Sequence, residues 1–343
     1  MRTDDFDYAL PTELIAQEPA FPRDSCRLLV LNRASGKTSH ATFCDILEYS
    51  EAGDCLVVNE TRVLPARLHG RREQTGGAVE VLLLKELEEG VWECLVKPGR
   101  KARPGEVLEF GDILKGTVRK IDDEGTREIA FESTGEIGVN DAFHKLGEMP
   151  LPPYITKKIA DPELYQTVFS RDEHSAAAPT AGLHFTEELL ERARKKGIII
   201  AKVRLDVGLG TFRPVSVDDP LKHHIHTEYY EVPQETVDII EQVKQSGGRV
   251  IAVGTTATRA LESAYKTGGG RLVAVGEPTS LYILPGYRFG VVDGLITNFH
   301  VPKSTLMMLV SAFSTRENIM SAYQEAVALR YRMLSFGDAM LII

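Results

Sequence analysis

The central part of the sequence, residues 62–147, consists of short strand-like segments with no helical pattern until near its end. Segments 77–84, 91–96, 116–121 and 127–131 are rich in β-branched and other apolar residues, and glycine or charged turns separate them. Short strands at such spacing are typical of small antiparallel barrels. We therefore predict a β-barrel domain in this part of the chain.

From Thr186 onwards the pattern changes to alternating helices and strands. Thr186 can cap a helix that ends at Gly197, and the strand-like runs 198–206 and 249–254 enclose a second helix at 233–246. Alternation of this kind predicts a parallel or mixed sheet.

Three further helices and one further strand are predicted towards the end of the chain. The helices cover residues 257–266, 304–314 and 317–334, and the strand covers residues 271–275. The predicted fold class is an α/β (or α+β) body with a mixed sheet, plus an inserted small antiparallel β-barrel.

A chain of 343 residues is longer than one hydrophobic core usually supports, and domains average about 150 residues. The proline-rich segment 150–153 marks the return from the barrel. We predict a discontinuous α/β catalytic domain of residues 1–61 and 148–343, with residues 62–147 inserted.

Composition narrows the functional classes. With 43% hydrophobic and 26% charged residues, no apolar leader and no long apolar run, the chain is expected to be a cytoplasmic globular protein without membrane contact. Four cysteines without a Cys-x-x-Cys pair argue against a zinc knuckle.

A net charge of −9 would repel RNA, so nucleic-acid binding would need a local basic patch. The best candidate lies in the predicted barrel. It could contact phosphates or be a solvated turn, and its residues are Arg62, Arg67, Arg100, Lys101 and Arg103.

The segment Gly254-Thr255-Thr256 follows a hydrophobic strand and opens a helix. Free backbone N–H groups and hydroxyls at such a turn can hold a carboxylate or phosphate, although an ordinary helix start is an equally good interpretation. The run Asp206-Val-Gly208-Leu-Gly210 is similar to the nucleotide loop of methyltransferases, but no helical pattern follows it.

His184 and His300 each lie beside a phenylalanine in a segment without helical or strand period. A single histidine is more often structural, but two in such segments favour a shared site for proton transfer. On a strand, His224, His226 and Glu228 would project from one face and could bind zinc. We prefer a hydrogen-bonded site wall there, because no further metal ligand is evident.

A set of segments is shared with one known family. They are residues 6–11, 13–17, 23–29, 59–68, 149–155, 165–168, 177–185, 207–212, 253–256, 297–300, 302–306 and 337–340. The chain resembles the S-adenosylmethionine:tRNA ribosyltransferase-isomerase family of queuosine synthesis. Ala-Ala-Pro-Thr-Ala-Gly-Leu-His-Phe at 177–185 is its most specific motif.

The resemblance implies an α/β body with a barrel insert, a monomer without metal, and S-adenosylmethionine as co-substrate. It also implies that the ribosyl moiety is transferred to 7-aminomethyl-7-deazaguanine at the wobble position of a tRNA with a GUN anticodon. Epoxyqueuosine forms, and adenine and methionine leave. The alternatives are an S-adenosylmethionine-dependent RNA methyltransferase and a non-catalytic RNA-binding protein.

Residue chemistry and motif membership together yield candidate site residues. For catalysis we predict His184, His300 and Asp206. For S-adenosylmethionine binding we predict Thr180, Gly182, Gly208, Gly210, Gly254, Thr255, Thr256 and Asn298. The five basic residues above are predicted to bind tRNA.

Overall fold

The computed structural model describes residues 1–122, 125–208 and 215–343. Its strands are β1 (Arg27–Leu31), β2 (Thr38–Thr42), β3 (Cys55–Asn59), β4 (Arg62–Val63), β5 (Arg67–Arg72), β6 (Ala78–Glu88), β7 (Val91–Lys97), β8 (Val107–Phe110), β9 (Leu114–Ile121), β10 (Arg127–Ser133), β11 (Glu173–Ser175), β12 (Ile199–Leu205), β13 (Glu228–Val232), β14 (Val250–Val253), β15 (Val275–Thr279), β16 (Gly294–Asn298) and β17 (Ala339–Ile342). Its α-helices are α1 (Val139–Leu146), α2 (Glu187–Lys195), α3 (Gln234–Gln245), α4 (Gly254–Thr267), α5 (Thr305–Phe313) and α6 (Arg316–Ala328).

The chain divides into two compact units. The first contains Met1–Thr61, Pro152–Asp172 and Ala178–Ile343. The second contains Arg62–Leu151 and Glu173–Ala177.

Nine of the described strands form the sheet of the first unit, in the order β15-β13-β12-β3-β14-β16-β17-β1-β2. The pairs β12/β3, β3/β14 and β14/β16 are parallel, whereas β13, β15 and β2 pair antiparallel towards the edges. Every residue of β3, β14 and β16 is buried. Such continuous apolar strands are expected where both faces of a sheet are covered.

The carboxyl ends of β3, β14 and β16 lie at one edge of this sheet. Helix α4 begins there, immediately after β14, because Gly254 has a φ of +94° and turns the chain without an intervening loop. A short 3-10 helix, Thr180–His184, lies beside the end of β16. Ligands of α/β proteins bind at this edge of the sheet.

Six of the described strands close the second unit into a barrel, in the order β10-β7-β6-β5-β8-β9. Neighbouring strands are antiparallel, and their alternate residues fill the interior. Helix α1 adds Phe143, whose ring contacts Trp92 and Phe131 edge to face.

The structure confirms the predicted fold class, an α/β body with a mixed sheet plus a small antiparallel barrel. It also confirms the helix after Thr186, whose hydroxyl accepts a hydrogen bond from the backbone N–H of Leu189 at 3.1 Å. None of the described helices is both long enough and apolar enough to cross a membrane.

Two predicted boundaries are wrong. The strand predicted at 271–275 begins only at Val275, because its position is set by pairing with β13 across the sheet. The last helix, predicted to reach residue 334, ends at Ala328. Arg330 has a φ of 54° and Leu334 a φ of 68°, and left-handed residues cannot continue an α-helix.

Candidate active site at the start of helix α4

A pocket of about 580 Å³ opens at the carboxyl edge of the sheet, within the first unit. We call it the α4 pocket. Six of the predicted site residues line it, namely Thr180, Gly254, Thr255, Thr256, Asn298 and His300.

The first turn of α4 supplies an anion-binding element to this pocket. The helix is 14 residues long, has no side-chain cap at its start and has no acidic residue in its first turn. Its first N–H groups therefore lack intrahelical partners and carry the positive end of the helix dipole. The Thr256 hydroxyl is buried and has no hydrogen-bond partner among the described residues. These donors suit a carboxylate or phosphate.

Asn298, at the end of β16, forms a hydrogen-bond chain behind the pocket wall. Its Nδ2 donates to His184 Nε2 at 3.0 Å and to the Leu334 carbonyl at 3.3 Å. Its Oδ1 accepts from the Thr180 hydroxyl at 3.0 Å. Because the Leu334 carbonyl can only accept, the amide nitrogen must face it, and His184 Nε2 then accepts from the same nitrogen. His184 Nδ1, which is then protonated, lies 3.3 Å from Cys26 Sγ.

His300 follows Asn298 closely in sequence and reaches the pocket directly. Its Nε2 lies 2.9 Å from the Thr297 hydroxyl. Both backbone polar groups of His300 are hydrogen-bonded. Its N–H donates to the Tyr323 hydroxyl at 3.1 Å, and its carbonyl accepts from the Tyr8 hydroxyl at 2.6 Å. His184, in contrast, is not a lining residue and lies behind Asn298.

Burial lowers the pKa of both imidazoles to about 3. For His184 the positive charges of Arg332 and Arg23 add to the desolvation. Both rings are thus neutral at physiological pH in the free protein. A neutral imidazole donates a hydrogen bond through one nitrogen and accepts one through the other, so each ring can link a donor to an acceptor.

The predicted glycine loop is only partly near the pocket. Val207 lines the α4 pocket, but Asp206 does not. The Asp206 carboxylate accepts hydrogen bonds from Arg204 at 2.9 and 2.7 Å and from the Thr61 hydroxyl at 3.3 Å. The Gly208 N–H donates to Glu228 at 2.9 Å. Gly210 lies outside the described residues.

Gly182 contributes by packing. It is buried in the short helix beside β16, and a Cβ added there would lie 2.6 Å from Phe169 and 2.9 Å from Thr167. Its lack of a side chain allows this helix to lie close to the preceding segment. Gly182 does not line the pocket.

The five basic residues predicted to bind tRNA differ in their surroundings within the second unit. Arg62 is paired with Glu173 at 3.6 Å, and Arg67 with Glu80 at 2.6 Å. Arg100, Lys101 and Arg103 are exposed on the turn after β7.

The guanidinium of Arg127 holds this turn in place. It donates to the Gly99 carbonyl at 2.6 Å and to the Ala102 carbonyl at 3.4 Å. Arg100 and Lys101 lie between these two carbonyls in sequence. Their position is therefore fixed at the backbone, while their side chains extend from the barrel.

A second pocket, of about 600 Å³, was not predicted from the sequence. It shares Thr255, Thr256 and Leu306 with the α4 pocket, and we call it the Glu228 pocket. At its base the Arg259 guanidinium is paired with the Glu228 carboxylate. His226 and Glu228, which the sequence predicts to lie in a hydrogen-bonded site wall, both line this pocket.

The histidine-rich segment before Glu228 is not a strand, because β13 begins only at Glu228. The condition under which His224, His226 and Glu228 would project from one strand face is therefore not met. Within the described residues, no three His, Cys, Asp or Glu side chains are placed to bind one metal ion.

A mixed sheet with a pocket at the carboxyl ends of its parallel strands, beside a helix N-terminus, defines an α/β protein of the class that binds small ligands at this edge. The family model described as "Queuosine biosynthesis protein" matches residues 3–342. The chain belongs to this family.

Two relatives are similar over their whole length. The S-adenosylmethionine:tRNA ribosyltransferase-isomerase of Symbiobacterium thermophilum is 57% identical over 345 residues, which is 100% of each chain. The crystal structure of S-adenosylmethionine tRNA ribosyltransferase from Thermotoga maritima is 39% identical, with a TM-score of 0.56 over 99% of this chain and 100% of that one. The family resemblance seen in the sequence is confirmed.

The buried histidines should make the protein sensitive to mild acid. In the unfolded chain an imidazole titrates near pH 6.5, whereas in the folded protein it titrates near 3. Below pH 6.5 the unfolded state binds a proton that the folded state does not. The free energy of unfolding therefore has its full value above pH 6.5. It decreases as the pH is lowered further, by up to about 1.4 kcal/mol per pH unit for each histidine.

We expect His184→Gln to reduce the slope of the free energy of unfolding against pH by an amount that corresponds to about one proton. Urea unfolding between pH 7 and pH 5 measures this slope. His224→Gln, a change on an exposed side chain, is the matched control. Equal slopes for wild type and His184→Gln would contradict the neutral, buried state of His184.

Proposed function

We propose that this protein transfers and isomerises the ribosyl moiety of S-adenosylmethionine onto 7-aminomethyl-7-deazaguanine at the wobble position of tRNA. The products are epoxyqueuosine in tRNA, adenine and methionine. The match of the family model to nearly the whole chain carries this proposal. The full-length relative with 57% identity and the name of this activity supports it.

The α4 pocket is the proposed site for S-adenosylmethionine. The methionine carboxylate of S-adenosylmethionine would lie against the first N–H groups of α4, at Gly254, Thr255 and Thr256. The Thr256 hydroxyl, which has no partner among the described residues, would then gain one. Thr180 and Asn298 are the nearby hydrogen-bonding side chains. None of the described lining residues is Asp, Glu, Lys or Arg, so the pocket offers no charge that competes with this arrangement.

His300 and His184 are our proposed proton-transfer residues. His300 reaches the pocket directly, whereas His184 would act through Asn298. Asp206, held by Arg204 and Thr61, is proposed as a partner for positive charge at the pocket's edge. The mostly apolar surface of the pocket would also limit the access of water to reactive intermediates.

The proposal includes the finer features that the family resemblance implies. The tRNA has a GUN anticodon, its wobble base leaves the stack to react, and the enzyme acts as a cytoplasmic monomer. The α/β unit is proposed to be catalytic, and the basic turn of the barrel is proposed to contact phosphates.

Product analysis tests the function. The purified protein is incubated with S-adenosylmethionine and tRNA that carries the aminomethyl base. We expect free adenine and methionine in equal amounts. S-adenosylhomocysteine as the product would instead identify a methyltransferase, and tRNA binding without consumption of S-adenosylmethionine would identify a non-catalytic RNA-binding protein.

Substitution of Thr256 should change stability and affinity in opposite directions. Thr256→Val removes a buried hydroxyl without a partner, so the free protein should become more stable, by about 1 kcal/mol. S-adenosylmethionine should bind roughly ten- to hundredfold more weakly, because one hydrogen bond to a charged group is worth about 1.5 to 3 kcal/mol. Thermal unfolding and calorimetric titration measure the two effects.

Thr258→Val is the matched control, because Thr258 is buried on the same helix but bonds to the Gly254 carbonyl and does not line the pocket. It should lose stability and keep its affinity for S-adenosylmethionine. Unchanged affinity in Thr256→Val would exclude this hydroxyl from the binding site.

Neutralisation of the barrel turn should weaken tRNA binding in a salt-dependent way. In the triple variant Arg100→Gln, Lys101→Gln, Arg103→Gln, the slope of log K against log salt should fall by about 0.7 to 0.9 for each phosphate that the turn no longer neutralises. Filter binding from about 50 to 200 mM salt measures this slope. Arg119→Gln, which removes an exposed arginine paired with Glu88, is the control. An unchanged slope in the triple variant would show that this turn does not contact tRNA.

A further inference from the structure

The Glu228 pocket is separate from the proposed site of S-adenosylmethionine but adjoins it. The two pockets share Thr255, Thr256 and Leu306, so ligands in them would lie on either side of the first turn of α4. A transfer reaction between two substrates needs two such neighbouring sites. The second pocket thus has the right position for the acceptor.

The floor of this pocket is a buried, fully built ion pair. Glu228 and Arg259 are 7% and 8% exposed. Arg259 also donates to the carbonyls of Leu281 at 3.0 Å and of His226 and Thr279 at 3.1 Å. These bonds orient the guanidinium, which in turn holds the carboxylate of Glu228 in one position at the pocket.

The walls of the pocket are flat or apolar. The rings of His223 and Tyr282 lie edge to face with centroids 5.9 Å apart, and Leu281, Ile283 and Leu306 are among the aliphatic residues of the lining. Rings and aliphatic side chains favour a planar heterocycle, since they contact its faces without demanding polar groups there.

A carboxylate accepts hydrogen bonds and donates none. The edge of a guanine-type ring presents two neighbouring donors, the ring N–H and the amino group, whereas the same edge of an adenine-type ring presents one donor and one acceptor. We infer that the Glu228 pocket binds the 7-deazaguanine ring of the acceptor nucleotide and that Glu228 selects it by this donor edge. The inference rests on the function proposed above.

The experiment measures base binding without turnover. The probes are free 7-aminomethyl-7-deazaguanine and, as the adenine-type ligand, 7-deazaadenine, titrated into the full-length protein by calorimetry. We expect wild type to prefer the guanine-type base. Glu228→Gln should weaken its binding roughly ten- to hundredfold and reduce the preference, with a smaller effect on affinity for S-adenosylmethionine.

Tyr282→Leu removes a wall of the pocket and leaves the ion pair intact, so it tests the inference even where Glu228→Gln impairs folding. It should weaken base binding as well. Glu277→Gln is the control, because this carboxylate on β15 bonds to Tyr230 and Thr267 and lies outside the pocket.

Two outcomes would overturn the inference: base affinity at the wild-type level in both pocket variants, or a loss confined to S-adenosylmethionine. Failure of the proposed function would look different, because wild type would then release no adenine whatever its affinity for the base. The two proposals can therefore fail independently.

Discussion

The tight turn at Gly254 is the constraint on which the candidate site depends. A φ of +94° brings the chain from β14 into α4 without a loop, so the unpaired N–H groups of the first turn lie at the sheet edge. Both pockets use this turn through Thr255 and Thr256. An L-residue at position 254 would be strained in this conformation, and any longer turn would move the helix start away from both pockets.

The two pockets differ in how they treat charge. The lining of the α4 pocket offers neutral groups, and burial keeps its one described histidine, His300, neutral. The Glu228 pocket instead contains a compensated ion pair, which is retained at low exposure because three backbone carbonyls complete the hydrogen bonding of Arg259. In the α4 pocket the helix dipole can attract an anion without a cationic side chain. In the Glu228 pocket the carboxylate favours ligands that present hydrogen-bond donors over ligands that present acceptors.

Local context also decides which basic residues of the barrel can contact a polyanion. The net charge of the chain is −9, so a general attraction to RNA is absent. Arg62 and Arg67 are engaged by glutamates, whereas the turn held by Arg127 extends Arg100 and Lys101 into solvent. Recognition of tRNA by this unit is thus expected to depend on a short segment of fixed backbone.

The sequence by itself determines the features that act over a few residues: the cap at Thr186, the strand periods of the barrel, the glycine ahead of Thr255, and the motif around His184. Folding alone brings together groups far apart in the chain, since Asn298 bonds to His184 across 114 positions and Arg259 meets Glu228 across 31. Sheet order and strand register create these contacts, and they depend on packing across the whole unit. For that reason the neutral state of the histidines and the contact of Arg259 with Glu228 have no counterpart in local sequence pattern.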